Sequence, residues 1–345
     1  MNVTTIGIDL AKNVFQVHGV DERGQAVLRK QLKRSQVLQF FVNLPACLIG
    51  MEACGGAHYW ARELTKLGHT VKLMAPQHVK PYVKRNKNDA RDAEGICEAV
   101  SRPTMRFVPI KNAQQQALLG LHRARQGFVK ARTAQANQIR GLLSEFGVVI
   151  PKGIHCIAQK LPQIVQDADN GLPAVTRELF SGLLEHFRQL DRQVEQLQAQ
   201  IQVWHRDDPQ SRRLQAVPGI GPLTASALVA SIGDARMFKS GRQLAAWVGL
   251  VPRQDSTGGK ERLLGISKGG DVYLRTLLIH GARAVLRHLD RHPDQAQGWL
   301  GRLAARRNPN IAAVALANKN ARIVWALLAH GREYQSHYSQ AVARA

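Results

Sequence analysis

The chain has 345 residues, 44% of them hydrophobic, so it is long and apolar enough for two or three globular domains and does not have the composition of a disordered chain. Its 48 basic residues outnumber its 25 acidic residues, and the formal net charge of +23 opposes compaction unless a polyanion neutralises it, which favours nucleic acid as the partner. A membrane is the rival polyanion, but we find neither a signal peptide nor an apolar stretch of about 18 residues. Because the cysteines form no CxxC pair, we expect free thiols in a reducing cytoplasm and no zinc site.

Strand and helix patterns alternate through the first hundred residues. Strands are predicted at 4–9, 14–20, 26–32, 47–51 and 70–74, and helices at 35–43, 57–67 and 90–99. The order βββαβαβα opens with a three-stranded meander, and Asp9 and Glu52 stand where the first and fourth strands end. Ligands of α/β sheets gather at the carboxyl ends of strands, so these two acids are candidates for one site.

The segment 87–94 contributes two more carboxylates. Asp89 and Asp92 are three residues apart, which puts both on one face of the predicted helix. Mg²⁺ prefers a few carboxylates together with water and substrate phosphate, and this segment is locally basic. The basic neighbours are Lys84, Arg85, Lys87 and Arg91. The structural alternative is an acidic helix start that only offsets the helix dipole.

Together the four acids make a more specific set than any one of them. The layout resembles a ribonuclease-H-like nuclease fold of the RuvC type, and Asp9, Glu52, Asp89 and Asp92 resemble its D-E-D-D metal-binding tetrad. Clustered carboxylates repel one another, so a divalent cation would stabilise their ionised forms. Two metals about 4 Å apart could activate a nucleophile and stabilise the leaving oxygen of a phosphodiester.

A long basic helix is predicted at 113–147. It contains five cations but no acidic residue before Glu145, which favours a phosphate-contacting helix over a merely solvated face. These cations are Arg123, Arg125, Lys130, Arg132 and Arg140. The segment 151–173 that follows is predicted to be loop-rich and to mark a boundary.

Apolar residues then recur in alternating steps of four and three, which is the pattern of a heptad seam. The seam consists of Leu183, Phe187, Leu190, Val194, Leu197, Ile201 and Trp204. It predicts a coiled-coil contact, either in a helical hairpin within the chain or between two subunits.

A Pro-Gly-Ile-Gly turn at 218–221 separates two predicted helices and resembles the helix-hairpin-helix motif. Gly219 and Gly221 would let backbone N–H groups approach a phosphate at the start of the second helix. Any tight turn between helices also favours glycine.

Two glycine-rich segments follow at 249–260 and 264–271. They could cradle phosphate, and Ser256 could attack it as a nucleophile, whereas the alternative is an ordinary surface loop. Thr257 is a second candidate nucleophile, and Ser267 is interpreted as structural or phosphate-binding. The cations expected to contact nucleic acid here are Lys260, Lys268 and Arg275. The remaining chain is predicted to be helical and basic.

These motifs, in this order, resemble the DEDD insertion-sequence transposases, the family related to the Piv and MooV DNA invertases. The resemblance covers nearly the whole chain. It includes Gly-Ile-Asp-Leu-Ala-Lys at 7–12, Met-Glu-Ala-Cys-Gly-Gly at 51–56, Asn-Asp-Ala-Arg-Asp-Ala at 88–93, Pro-Gly-Ile-Gly at 218–221, Gly-Leu-Val-Pro at 249–252, Ser-Thr-Gly-Gly-Lys at 256–260 and Gly-Ile-Ser-Lys-Gly-Gly-Asp at 265–271.

The resemblance implies an α/β plus α architecture in three parts. A RuvC-like nuclease domain at 1–110 would precede a helical coiled-coil linker at 111–207 and a mainly helical transposase domain with the catalytic serine at 208–345. It also implies Mg²⁺ as cofactor, donor and target DNA as substrates, a non-coding bridge RNA as guide, and a homo-oligomer, dimer or tetramer, in the bacterial cytoplasm at the nucleoid. The serine would form a covalent link to DNA beside the metal-bound acids.

Three functions compete at this level. A recombinase would use the four acids and Ser256, a Holliday-junction endonuclease would use the acids alone, and a nucleic-acid-binding scaffold would need neither. The complete acidic set argues against the scaffold, and the serine segment with the helix-hairpin-helix favours the recombinase.

Overall fold

The computed structural model describes residues 2–84, 88–291 and 293–335, so Arg85 and Lys87 of the predicted metal segment lie outside the described residues. The chain divides into two compact units, Met1–Gln116 and Ala117–Ala345. The three-part division with a further boundary at 207 stays a prediction.

The first unit is built on a six-stranded sheet of order β3-β2-β1-β4-β5-β6. The strands are β1 Thr5–Leu10, β2 Val14–Val20, β3 Ala26–Lys33, β4 Leu48–Glu52, β5 Thr70–Met74 and β6 Phe107–Val108. β1, β2 and β3 form an antiparallel meander, β4 and β5 run parallel to β1, and β6 returns antiparallel. The five predicted strands are confirmed; β6 was not predicted because its two residues carry no periodicity.

Helices cover both faces of this sheet. They are α1 Val37–Val42, α2 Ala57–Lys66, α3 Pro76–Val79 and α4 Asp89–Val100. Ile6 and Ile8 point from β1 into a core that α1 and α2 complete, and a fully buried side chain of this size contributes about 1.5–3 kcal/mol. α4 packs on the opposite face of β1, β2 and β4. This mixed α/β architecture with a central sheet agrees with the predicted fold class.

The second unit is mainly helical. Its helices are α5 Ala113–Ser144, which begins in the first unit, α6 Ile154–Gln166, α7 Ala174–Asp207, α8 Pro209–Gln215, α9 Pro222–Ile232, α10 Gly241–Trp247, α11 Val272–Arg287, α12 Pro293–Gln297, α13 Trp299–Arg306 and α14 Pro309–His330. Its two strands are β7 Pro252–Gln254 and β8 Leu263–Ile266. Short 3-10 turns lie at Arg34–Gln36 and Lys80–Tyr82 in the first unit and at Ala235–Met237 and Leu289–Arg291 in the second.

The heptad seam of α7 finds a partner within the chain. Arg132 of α5 forms an ion pair with Asp191 of α7, and Arg125 donates to Gln198 Oε1 at 2.8 Å, so the residue numbers run in opposite directions along the two helices. Apolar residues from the same two helices share one core cluster, in which Phe187 is fully buried. The structure therefore contains an intrachain antiparallel helix pair, and the alternative contact between two subunits stays a prediction.

The segment predicted as loop at 151–173 contains a helix instead. α6 continues through Pro162, although proline removes one backbone donor from the helix interior. Ile157 and Leu161 are fully buried in the cluster formed with α5 and α7. Their burial offsets the proline, so tertiary packing overrides the local signal that predicted a loop.

The long apolar helix α14 forms the centre of the second unit's core. Of the described residues, it is the one helix long and apolar enough to cross a membrane by composition, with a mean hydropathy of 1.3 over its best window. Its buried face joins α9, α10 and α11 in the largest hydrophobic cluster. This packing accounts for its apolar composition.

Candidate active site

Three of the four predicted acids come together in the structure. Asp9 lies near the carboxyl end of β1, and Asp89 and Asp92 occupy the first turn of α4. One carboxylate oxygen from each lies within 4.8 Å of the others. Asn88 starts the helix because its side chain accepts the Ala90 N–H at 3.0 Å, which fixes where the first turn presents its carboxylates.

A glycine in β1 allows α4 to approach this closely. A Cβ at Gly7 would lie 2.2 Å from the Ala93 carbonyl oxygen and 2.3 Å from the Cys97 nitrogen, both in the backbone of α4. Any side chain there would push α4, with Asp89 and Asp92, away from Asp9. Sequence reasoning missed Gly7; a glycine between two isoleucines inside a strand is the signal for such a close backbone approach.

Glu52 adjoins this cluster but is not among the three. It ends β4, whose parallel pairing with β1 sets Met51 opposite Ile8, so Glu52 comes next to Asp9 in register. Burial raises the pKa of Glu52, and the negative charges of Asp9 and Asp92 raise it further. Mutual repulsion among carboxylates is the condition that a bound divalent cation relieves. The donor set, all carboxylate oxygens, suits a hard cation such as Mg²⁺.

The predicted nucleophile lies on a β-hairpin rather than an irregular loop. β7 and β8 pair antiparallel, and beyond Gln254 the pairing continues from Asp255 to Arg262 and from Thr257 to Lys260. Gly258 and Gly259 form the two-residue turn with φ of +55° and +77°. Paired left-handed residues match the twist of a hairpin, so the Gly-Gly dipeptide was an unused hairpin signal. Ser256 is exposed next to this turn, and its Oγ accepts the Arg262 N–H at 3.2 Å.

The two glycine-rich motifs pack against each other at the base of the hairpin. A Cβ at Gly249 would lie 2.1 Å from the Gly269 carbonyl oxygen, and one at Gly270 would lie 1.8 Å from that of Trp247. Arg275 is 8% exposed and donates to the carbonyl oxygens of Val248 at 2.9 Å and Gly269 at 2.8 Å. The structure therefore gives Arg275 a role inside the frame of the hairpin instead of on a nucleic-acid-binding surface. Lys268 stays exposed, with φ of +55°.

The Pro-Gly-Ile-Gly turn connects α8 and α9. Gly219 adopts φ of +87°, and its backbone is so close to α11 that a Cβ on Gly281 would lie 1.8 Å from the Gly219 carbonyl oxygen. Asn320 Nδ2 donates to the Pro218 carbonyl oxygen at 2.8 Å. Gly219 thus has a packing reason to be glycine, whereas Gly221 is exposed at the start of α9, where a phosphate could approach.

Two family models and several named relatives match this chain. A family model described as Transposase, of the DEDD IS110 type, matches residues 6–148, and the model of the Transposase IS116/IS110/IS902 family matches residues 211–297. The chain is 56% identical to a Pseudomonas aeruginosa protein named "Probable family 20 transposase" over 97% of this chain and 99% of that protein. It is 44% identical to the transposase for insertion sequence element IS1111A of Coxiella burnetii over 97% and 92%. The pilin gene-inverting protein of Moraxella bovis is 25% identical over 85% of each chain.

The chain belongs to the IS110/IS116/IS902 transposase family. It is an insertion-sequence transposase, an enzyme that cuts and rejoins DNA. The matched DEDD region contains all four acids, and the second matched region contains the Ser256 hairpin and the Pro-Gly-Ile-Gly turn. A DEDD region suggests that the transposase uses a divalent metal.

The basic helix α5 of the transposase uses three of its five predicted phosphate-binding cations within the chain. Arg132 pairs with Asp191, Arg125 donates to Gln198, and Arg140 donates to the carbonyl oxygens of Pro151 at 3.1 Å and Gly153 at 2.6 Å. The cations still exposed are Arg123 and Lys130. The lack of acids in α5 itself did not reveal these partners, because they lie in other segments of the chain.

A buried polar network in the second unit was not found from the sequence. His122 of α5 is 1% exposed and contacts Tyr273 Oη at 3.0 Å and Ser226 Oγ at 3.1 Å. Ser226 in turn donates to the Pro222 carbonyl oxygen at 2.8 Å. Burial lowers the pKa of His122 to about 4, so the ring is neutral at pH 7. The network fixes α5 to α9 and to the first turn of α11, which follows the hairpin.

Proposed function

We propose that the transposase cuts DNA at a divalent-metal site formed by Asp9, Asp89 and Asp92, with Glu52 as the fourth acid. We further propose that Ser256 is the nucleophile that links the protein covalently to DNA. The observation that carries the metal site is the 4.8 Å convergence of three carboxylates from two separate elements. Mg²⁺ is the cation that this donor set fits best.

Each acid has a distinct task in this proposal. Asp9 comes from a strand within the sheet and supplies a fixed oxygen, whereas Asp89 and Asp92 share one helix face and approach from the other side. Burial and its acidic neighbours raise the pKa of Glu52, so a nearby positive charge would favour its ionised form. A divalent cation held there would polarise the scissile phosphate and offset charge on the leaving oxygen.

Ser256 explains how DNA is rejoined as well as cut. Its hydroxyl loses a proton to a base, its Oγ bonds to phosphorus, and the bond from phosphorus to the leaving deoxyribose oxygen breaks as that oxygen gains a proton. The serine–DNA ester conserves the bond energy, so rejoining is the same exchange in reverse. Thr257 is the alternative hydroxyl on the same hairpin.

The remaining parts of the proposal concern partners. Donor and target DNA and a bridge RNA as guide are partners that suit the net charge of +23. Assembly as a dimer or tetramer and a cytoplasmic location at the nucleoid are further parts of the proposal. The groups proposed to contact nucleic acid are Arg123, Lys130, Gly221, Lys260 and Lys268, which are all exposed. The other predicted contact groups pack within the protein and support the exposed ones. These are Arg125, Arg132, Arg140, Gly219 and Arg275.

Asp89→Asn tests the metal site. The substitution removes one ligand charge without changing side-chain size, and we expect at least a thousandfold loss of transposition in cells, since several kcal/mol of transition-state stabilisation are lost. Asp21→Asn, in an exposed turn, is the matched control and should transpose normally. Mn²⁺ binding should weaken in Asp89→Asn alone. Normal transposition by a folded Asp89→Asn protein would contradict the proposal.

Ser256→Ala tests the nucleophile. The protein is trapped on nicked DNA and denatured, and the DNA-linked peptide is mapped. The wild-type link should lie at Ser256. Ser256→Ala should bind DNA but form neither an adduct nor a rejoined product. Thr257→Ala should be milder and still form the adduct and the rejoined product. A link at Thr257 or Ser267 would move the nucleophile, and cutting without any adduct would indicate a plain nuclease.

A further inference from the structure

A polar groove adjoins the acidic cluster on the side of strands β2 and β3. It has a volume of about 410 Å³, and the polar and charged residues along it include Gln16, His18, Arg29, Gln31, Asn88 and Arg91. Asn88 directly precedes Asp89, so the groove reaches the start of the helix that carries two of the acids.

Strand register ties this groove to Asp9. Asp9 is paired with Gln16, and Gln16 with Gln31, so the three residues form one cross-strand row that starts at the acidic cluster. Gly7, His18 and Arg29 form the parallel row two residues away. Paired residues, and residues two apart on one strand, point to the same face of a sheet, so both rows lie on the face that α4 covers at Gly7. Gln16, Gln31, His18 and Arg29 of these rows line the groove. From β1 to β3 the rows span about 10 Å, the axial length of about three nucleotides of B-form DNA.

The groove offers positive charge where the acidic cluster alone would repel a phosphate. Arg29 is exposed, and no ion pair among the described residues involves it. The one acid that lines the groove, Glu94, accepts a hydrogen bond from Lys84 at 2.6 Å, so its charge is already matched. Arg29 therefore adds a positive charge to the groove that Glu94 does not neutralise.

We propose that this groove binds the phosphodiester backbone of the DNA strand that enters the acidic cluster, with Arg29 contacting a phosphate within about three nucleotides of the cleaved one. The inference rests on the proposed function, which places the cleaved phosphate at the acids. The amides of Gln16, Gln31 and Asn88 would donate hydrogen bonds to the same backbone without reading its sequence.

The neighbouring residue on the same strand supplies a matched control. Lys30 pairs with Val17 and points to the opposite face, where its Nζ lies 5.0 Å from the ring centre of Phe40. Lys30 also lines the groove, but its ammonium lies on the opposite face of the sheet. Arg29→Gln and Lys30→Gln therefore remove the same charge from adjacent positions, and only Arg29→Gln removes a charge that faces the groove.

The test measures how salt weakens binding of the full-length protein to a nicked DNA duplex that spans the element end. Arg29→Gln should lower the log–log slope by about 0.9 and weaken binding several-fold at 0.1 M salt, whereas Lys30→Gln and Arg29→Lys should keep the wild-type slope. A single methylphosphonate within about three nucleotides of the cleaved phosphate should weaken wild-type binding but not Arg29→Gln binding. Unchanged thermal unfolding of both glutamine variants shows that they are folded.

Three results would overturn the proposal: a wild-type slope in Arg29→Gln, an equal loss in Arg29→Gln and Lys30→Gln, or a loss confined to an RNA hairpin probe. Failure of the metal site is distinguishable, because Asp89→Asn should bind DNA with the wild-type slope. Normal transposition by Asp89→Asn would refute the metal chemistry. The binding data for Arg29→Gln test only whether the groove contacts DNA.

Discussion

The acidic cluster and the serine hairpin are held in place in opposite ways. Asp9, Asp89 and Asp92 stand on a strand within the sheet and on a helix pressed against it through Gly7, so the core itself fixes their geometry. Ser256 stands near the tip of an exposed two-stranded hairpin that only its base, through Arg275 and the glycine motifs, connects to the core. The comparison teaches that the acidic cluster is preorganised by packing, whereas the Ser256 hairpin is free to adjust to its substrate.

Gly7→Ala should break the first half of this comparison and has the largest expected effect. The new Cβ would meet the backbone of α4 at 2.2 Å, which cannot be relieved by a rotamer change. We expect a loss of about 3 kcal/mol in the free energy of unfolding, together with weaker Mn²⁺ binding. Urea denaturation measures the first and calorimetry the second.

Gly55→Ala is the control for this substitution, because a Cβ there meets no atom within 4 Å. It should change stability by less than about 0.5 kcal/mol. Equal stability of Gly7→Ala and wild type would show that α4 can shift and that the acids are not fixed by packing.

The pH dependence of stability should sharpen the comparison at the hairpin base, where His122 holds Tyr273. The pKa of His122 is about 4 in the folded chain and 6.5 when unperturbed, so between these values the unfolded state binds more protons. Stability from this group is therefore complete above pH 6.5 and is lost as pH falls towards about 4, by about 3 kcal/mol in total.

Urea denaturation from pH 4.5 to 7 measures this dependence. His122→Leu should flatten the slope in that range, although it lowers stability at pH 7, whereas His280→Gln, an exposed position on α11, should keep the wild-type slope. A slope equally steep in His122→Leu would assign the acid sensitivity to other groups.

Gly258→Ala has the smallest expected effect on global stability and tests the second half of the comparison. Alanine at φ of +55° costs about 1 kcal/mol, but the hairpin can open without unfolding the core, so the denaturation midpoint should barely move. Amide exchange at 255–262 should accelerate, and the covalent adduct should form several-fold more slowly. Gly258→Asn should be milder, since asparagine tolerates left-handed backbone. Wild-type exchange in Gly258→Ala would show that the tip is more firmly held than its exposure suggests.

The first unit could be predicted from the sequence almost completely. Alternation of apolar residues located five strands, and the three acids that converge are all among the predicted ones. Gly7 was missed because its importance depends on how closely α4 approaches, which is a distance between segments about ninety residues apart in the chain.

The second unit was harder to predict for the same physical reason. Local patterns located α5 and the seam of α7, but the burial of Ile157 and Leu161 overrode Pro162, and the partners of Arg132 and Arg275 lie in segments that no periodicity connects. Charge counted along one helix cannot reveal an acid on another. The Gly-Gly turn was the exception, since its local signal was sufficient to predict the hairpin.

The two edge strands of the sheet affect how readily this protein self-associates at high concentration. An unpaired strand edge invites pairing with another chain, which is the first step of β-aggregation. β3, at one edge, displays Arg29, Lys30 and Lys33, all exposed, and β6, at the other, has two residues. The like charges on β3 oppose contact with the β3 edge of another chain. β6 is so short that it offers few backbone groups for such pairing. Salt screens the first of these protections but not the second, so high ionic strength would favour self-association through β3.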